Sequence, residues 1–350
     1  MRKVLLAFGA AVFAASVSLS QQPVQETVHV SVVEVTVHAT DRSGEPVRGL
    51  GPRDVRLFVD GHDVPIETFD WVSNESAPPA GEATGPSEAT ARPASGAAAP
   101  EAPEPSPGRL IVLLFQWHIE GAKIEGHLRM SREALEFLDG IRSDDRVAVA
   151  TFGSRLWLRQ DFTNDRALLR SAVQNALALE NGPAAPQPPS LSAIAAHGAE
   201  ATSIEKAFIA VGEALRPLPG SKGIVFFGWG VGKVDFLMPG QQMGTMVYSP
   251  EYERAVAVLG QAQAPVFSLD VSGGHHSLEA GLERLSFETG GYYLPTYDFP
   301  RWAMKTVSRA LTGHYELVFR PPHLEKHGFH EIKLDGPPGV KFLYRQGYED

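Results

Sequence analysis

Gln116, Trp117, His118 and Glu120 form a polar and aromatic group directly after the apolar run 110–115. Imidazole and carboxylate both bind divalent metals, and indole is favoured at the energetic centres of protein interfaces. A continuous apolar run of this length predicts a strand buried on both faces, the middle of a parallel sheet. Ligands of open α/β sheets sit just beyond the carboxyl ends of such strands. The stretch 109–121, RLIVLLFQWHIEG, is therefore the one that the rest of the chain has to position.

Other residues of the same types are less well placed. His323, Glu325, His327 and His330 are spaced so that imidazoles and a carboxylate can converge, but they fall in a hairpin loop without apolar periodicity, which predicts a solvated turn. His275 and His276 follow Gly273-Gly274 and predict a surface loop near a strand's carboxyl end. Gly228-Trp229-Gly230-Val231-Gly232 follows a strand but opens no helix, and the dinucleotide pattern needs strand then helix. Asp144-Asp145 lies at a helix-to-strand turn, where solvated charge is expected. No GxSxG, HExxH or Walker motif is present.

Composition narrows the function further. The chain has 350 residues, room for two domains, and a 43% apolar content, enough for a core. Its net charge of −10 and lack of a basic cluster argue against nucleic acid as a partner. With no cysteine, disulfides, thiolate metal sites, cysteine nucleophiles and a lipidated N-terminal cysteine are excluded. Residues 1–20 predict a secretory signal peptide: Arg2 and Lys3 precede an apolar run over 4–17, and Ser18 and Ser20 suit cleavage before Gln21. That predicts export to the periplasm, cell surface or medium, with no membrane span after cleavage.

The elements that must hold 109–121 change character along the chain. Residues 21–72 predict a small β-sandwich-like module, with strands over 27–40, 54–60 and 64–69, a possible bulge at Val32-Val33 and a hairpin turn at Asp60-Gly61. Residues 73–108 are Ala, Pro, Glu, Gly and Ser without an aromatic, a disordered linker. Residues 109–313 alternate strand and helix, which predicts a doubly wound, mostly parallel sheet. Within it 156–162 reads as an antiparallel edge strand, Asn164 as a helix cap, and Thr202 or Ser203 as the next cap. Residues 231–250 read as a long loop. Residues 314–350 return to strands, which either extend that sheet's edge or pair with the N-terminal module.

This order of elements resembles a von Willebrand factor A domain, and the whole mature chain resembles the bacterial secreted family described as VWFA-related. The residues that carry the resemblance are Val47-Arg48-Gly49-Leu50, Asp54-Val55 and Val59-Asp60-Gly61, then Asp145-Arg146-Val147-Ala148-Val149. Later come Leu282-Glu283-Arg284-Leu285 with Glu288-Thr289-Gly290-Gly291, His314-Tyr315-Glu316-Leu317, and Ile332-Lys333-Leu334. The resemblance implies a Rossmann-like fold. It also implies a D-x-S-x-S motif after the first strand of the A domain, completed by a Thr and a later Asp, that holds Mg²⁺ or Mn²⁺ for a partner's carboxylate. Here Gln116 stands at the Asp, His118 and Glu120 at the two Ser, Thr202 at the Thr and Trp229 at the later Asp, so only the Thr matches.

The function expected from these readings is an exported, non-enzymatic adhesion or scaffold protein without a cofactor. Its strand-end face, around Gln116, Trp117, His118, Glu120, Thr202 and Trp229, would meet an unidentified protein partner. Two alternatives stay open: a divalent-metal-dependent binding module that uses His118, Glu120 and Thr202, and a metal-dependent hydrolase that uses the His/Glu pairs.

Overall fold

The computed structural model describes residues 32–73, 108–118, 121–176, 190–192, 194, 198–235, 245–297, 300–322 and 328–349. The predicted signal peptide, nearly all of the predicted linker, Glu120, and the 323–327 part of the His/Glu cluster lie outside them.

The stretch 109–121 forms strand β5 (Leu110–Gln116), every residue of which is buried. Around it stand β6 (Arg146–Phe152), β7 (Leu156–Thr163), β8 (Lys222–Gly228), β11 (Val266–Asp270) and β12 (Tyr293–Pro295). They make one six-stranded sheet in the order β12-β11-β8-β5-β6-β7. All its pairings are parallel except β6 with β7, so the edge strand is antiparallel, as its position after a short turn predicts. Alternate residues of β5 feed two cores. Ile111, Leu113 and Phe115 pack with α1 (Gly121–Asp139), α2 (Arg166–Gln174) and α6 (Pro300–Ala310). Leu110, Val112 and Leu114 pack with α3 (Ile204–Leu215), α4 (Tyr252–Gln261) and α5 (Glu279–Thr289). Helices on both faces of a mostly parallel sheet make this the Rossmann-like, A-domain-like architecture.

A β-sandwich stands beside it. One sheet has the order β15-β1-β13-β4, from β1 (Val33–Thr40), β4 (Ile66–Ser73), β13 (Gly313–Phe319) and β15 (Lys341–Tyr344). The other has the order β16-β14-β2-β3, from β2 (Arg56–Val59), β3 (His62–Val64), β14 (Phe329–Asp335) and β16 (Gly347–Glu349). Of the two placements open to the C-terminal strands, pairing with the N-terminal ones is observed: β13 lies between β1 and β4, and β14 pairs β2. Val35, Val37, Leu57, Val59, Leu317, Phe319, Ile332 and Leu334 meet in the core between the sheets. The β2–β3 turn is made by Asp60 (φ 47°) and Gly61 (φ 81°), the left-handed pair of a tight hairpin.

Several local expectations are corrected. Among the described residues the first strand runs over Val33–Thr40, and the expected part over 27–31 lies outside them. Asp165, not Asn164, caps α2, accepting from the backbone N–H of Ala167 and Leu168, while Asn164 donates to the Ser143 carbonyl. Of the two caps left open for α3, Ser203 is the one observed, which agrees with the expectation. The stretch 231–250 contains a small hairpin, β9 (Lys233–Asp235) with β10 (Thr245–Val247), because its alternating residues find an antiparallel partner. Asp145 is not solvated: its side chain is 0% exposed and it binds Arg109 in two places. His330 is no turn residue either. It is buried, its Nδ1 lies 2.8 Å from Asp60 Oδ2, and its ring stacks on Tyr348.

Candidate functional site

At the carboxyl end of β5 the backbone has run out of strand partners, and side chains take over. Gln116 is 3% exposed. Its Oε1 accepts from the backbone N–H of Trp229 (2.9 Å) and Gly230 (3.2 Å), and its Nε2 donates to the Gly230 carbonyl (3.0 Å). One amide thus satisfies three main-chain groups of the loop after β8, a use that a carboxylate, which only accepts, cannot match. Gly230 suits this close approach, since a Cβ there would fall 2.6 Å from Leu278.

Two further anchors fix the same corner. The Gln116 carbonyl lies 2.7 Å from His127 Nε2, on α1. Burial holds His127 down at about 4, so the ring is neutral near pH 7, and its contact with the carbonyl places the proton on Nε2. From the other side, Glu205 in the first turn of α3 is 2% exposed and accepts from Gly232 N–H at 2.9 Å. The loop 228–232 is therefore held between β5 and α3 by side-chain acceptors aimed at its backbone.

The aromatics lie over this frame. Trp117 donates its backbone N–H to Phe152 O (2.6 Å) and its ring lies 3.7 Å from where a Cβ on Gly153 would be. Trp229 is partly buried, packed on the core beneath β5, and its Nε1 has no hydrogen-bond partner. His118 meets the Trp229 ring edge-on, centroids 4.9 Å apart at 66°. The Lys123 ammonium lies 4.2 Å from the same ring's centroid. Of the six residues singled out from sequence, Gln116, His118 and Trp229 are thus brought together and Trp117 flanks them. Thr202 is exposed, and its backbone N–H donates to Glu200 O. Glu120 lies outside the described residues. His127, Glu205 and Lys123 complete the site without having been singled out. Glu205 reads in sequence as an ordinary acid in a helix's first turn, and only its burial distinguishes it.

A second polar group stands at the carboxyl end of β11. Asp270 is wholly buried and accepts from Ser272 N–H (2.8 Å) and the Tyr293 hydroxyl (3.0 Å), with His276 Nε2 at 3.0 Å. Burial pushes its carboxyl up, and the contacts with His276 and Ser272 outweigh that and hold it below the usual range. His275, on the surface, lies 2.9 Å from Glu279. Among the described residues no group of three or more His, Cys, Asp or Glu is placed to hold a metal ion, and no helix is long and apolar enough to cross a membrane.

No family model matches the chain, and no curated protein matches it. Solved structures similar to it include conserved hypothetical protein BatB from Bacteroides thetaiotaomicron, 14% identical, with 58% of this chain and 97% of that one covered at a TM-score of 0.38. The PilB minor pilin from Streptococcus sanguinis is also 14% identical, with 60% and 64% covered at 0.38, so the chain spans less than two thirds of the pilin's length. A von Willebrand factor type A protein from Catenulispora acidiphila is 10% identical, with 70% and 68% covered at 0.40. At such identities no residue role transfers from any of them.

Proposed function

We propose that this chain is an exported, non-enzymatic binding protein, an adhesion or scaffold module, that presents the face around Gln116, Trp117, His118, Glu120, Thr202 and Trp229 to another protein without a divalent cation. The observation that carries this reading is the commitment of Gln116. A hard cation at this strand end needs several oxygen ligands with an open position. Here the amide oxygen at the motif's Asp position is taken by two backbone N–H groups, the residue at its first Ser position is an imidazole set against Trp229, and an indole stands at its later Asp position. These residues do not fit the group, and the strand end is ordered by the protein's own hydrogen bonds instead. The half-buried rings of Trp117, His118 and Trp229 lie over this frame, and aromatics are favoured at interface centres. Export rests on the leader-like residues 1–20, and the boundaries 21–72, 73–108, 109–313 and 314–350 belong to the same proposal.

The test is recovery of a partner by the protein beginning at Gln21, from extracts of its own source. Trp117→Ala and Trp229→Ala, each folded by circular dichroism, should weaken the captured complex roughly 30-fold, the equivalent of about 2 kcal/mol for an interface anchor. Trp157→Ala, at an exposed indole on the edge strand β7, should leave it unchanged. Loss with Trp157→Ala and retention with the other two would place the interface elsewhere.

A further inference from the structure

Alternation along β1 sends Val35, Val37 and Ala39 into the sandwich core and Glu34, Thr36 and His38 to the opposite face. That opposite face is exposed at Glu34, half-buried at Thr36 and buried at His38. At His38 it meets the amino-terminal end of the parallel sheet: Lys222 starts β8, and the Phe267 ring of β11 lies 5.9 Å from that of His38. From β13, Glu316 stands opposite Thr36, and the His314 ring lies 6.1 Å from the His38 ring.

The seam between these bodies is polar and incompletely filled. A cavity of about 260 Å³ is walled by Glu34, His38, Lys222, Gln263, His314 and Glu316. A wider cleft of about 620 Å³ continues from it between β1 and α4, with Glu34 and Gln263 in its wall as well. His38 is 5% exposed, and neither of its ring nitrogens has a hydrogen-bond partner; the carbonyls of Ala310 and Gly313 lie nearby but out of hydrogen-bonding geometry. Among the described residues, side-chain hydrogen bonds of Glu34 with Gln263 and of Thr40 with Tyr292 tie the two sides. Arg345 donates to the Glu34 carbonyl (2.7 Å) and to the Gly260 carbonyl (3.4 Å), and Arg309 pairs with Glu45.

We infer that this seam is an acid-released latch: protonation of His38 and His314 separates the sandwich from the amino-terminal edge of the parallel sheet while each remains folded. Two imidazolium rings would then stand side by side on β1 and β13 against the cavity of about 260 Å³, with the Lys222 ammonium in the same wall, at a cost to which burial adds. The opposing charges are Glu34 on β1 and Glu316 on β13, with Asp70 on β4 behind Glu316, and Arg345 adds one more cation. Tyr292, half-buried, stacks on Phe267.

The pH window follows from these groups. Burial, and then the charge of His314, hold His38 at about 3, and burial holds His314 at about 4, against an ordinary 6.5. Their contribution to docking is therefore full above 6.5 and is lost as the pH falls toward 4. Glu316 works the other way. Its hydrogen bond with Glu34 and its burial raise it to about 7, so its contribution is present at low pH and lost as the pH rises through 7. The same bond with Glu316 keeps Glu34 below its ordinary value, but it joins two strands of the sandwich and persists on release, so it does not bear on docking. One raised carboxyl does not cancel two lowered imidazoles, and acid releases the latch.

The chain has no cysteine, so two can be introduced and labelled without interference. With dyes at Arg53→Cys on the sandwich and Ala167→Cys on α2, energy transfer should fall between pH 6 and 4, before far-ultraviolet circular dichroism is lost. His38→Phe and His314→Phe should each carry the energy-transfer midpoint at least one pH unit lower, and if either fails to fold, the other gives the reading. Simultaneous loss of both signals in the wild type, or unchanged midpoints in the folded variants, would overturn the latch.

Discussion

Gln116→Ala loses about 3 kcal/mol of stability, which at roughly 2–4 °C per kcal/mol is a fall in Tm of roughly 6–12 °C. Three main-chain groups depend on this one amide: Trp229 N–H, Gly230 N–H and Gly230 C=O. Each unpaired buried group costs ~1–3 kcal/mol, so three at the low end give the estimate. Gln116→Glu distinguishes the hydrogen bonds from mere packing. The carboxylate still accepts from both N–H groups but meets the Gly230 carbonyl with an oxygen instead of a donor. Its deficit should therefore shrink as the pH falls and the acid form regains a donor. Thermal melts of both variants between pH 5 and 8 check this. A Gln116→Ala protein as stable as the wild type would mean that the loop 228–232 is held by other contacts.

Asp145→Ala is expected to cost about 3–5 kcal/mol, because it leaves a buried guanidinium without its counter-ion. Arg109 is 6% exposed and Asp145 is 0% exposed. Arg109 Nε donates to Asp145 Oδ1 at 2.7 Å and its second terminal nitrogen to Oδ2, while Arg109 Nη1 donates to the Leu311 carbonyl at 2.7 Å. Asp145 also accepts from Arg142 N–H at 3.0 Å, so it clamps the turn before β6 onto the start of β5. The double change Arg109→Met with Asp145→Leu should lose less than Asp145→Ala alone, since an apolar pair leaves no stranded charge. Denaturant midpoints for the two proteins would show it, and equal losses would mean that packing rather than charge dominates there.

How far the sequence reveals this protein depends on the distance over which each interaction acts. The apolar run of β5 and the change from period-two strands to alternating strand and helix are local signals, and they lead to the doubly wound sheet. The completion of the sandwich is not local. β1 pairs with β13, so Val35 meets Leu317 across the whole parallel-sheet region, and no periodicity in either strand names the other. Asp145 fails as a reading for the same reason. A pair of aspartates at a turn predicts solvent, and the residue that pairs with Asp145, Arg109, stands just before a neighbouring strand whose register, Leu110 against Arg146, only the fold provides. At the strand end the residue types were legible as a departure from the oxygen-rich motif, but the role of Gln116 was not, because its partners lie at 229 and 230. The neighbour that α2 takes as its cap, Asp165 instead of Asn164, turns on one residue of backbone geometry that two equally good capping side chains leave undecided.

The most direct measurement is thermal unfolding of the protein beginning at Gln21, in chelator and in millimolar Mg²⁺, Mn²⁺ or Zn²⁺. A cation bound only by the folded state raises its stability by about 2.7 kcal/mol at a concentration one hundred times its Kd. With Gln116 tied to the loop 229–230 and, among the described residues, no group of His, Asp and Glu placed to hold a metal ion, the melting temperature should be the same in every condition. A rise of several degrees with any one cation, abolished by His118→Ala, would contradict it.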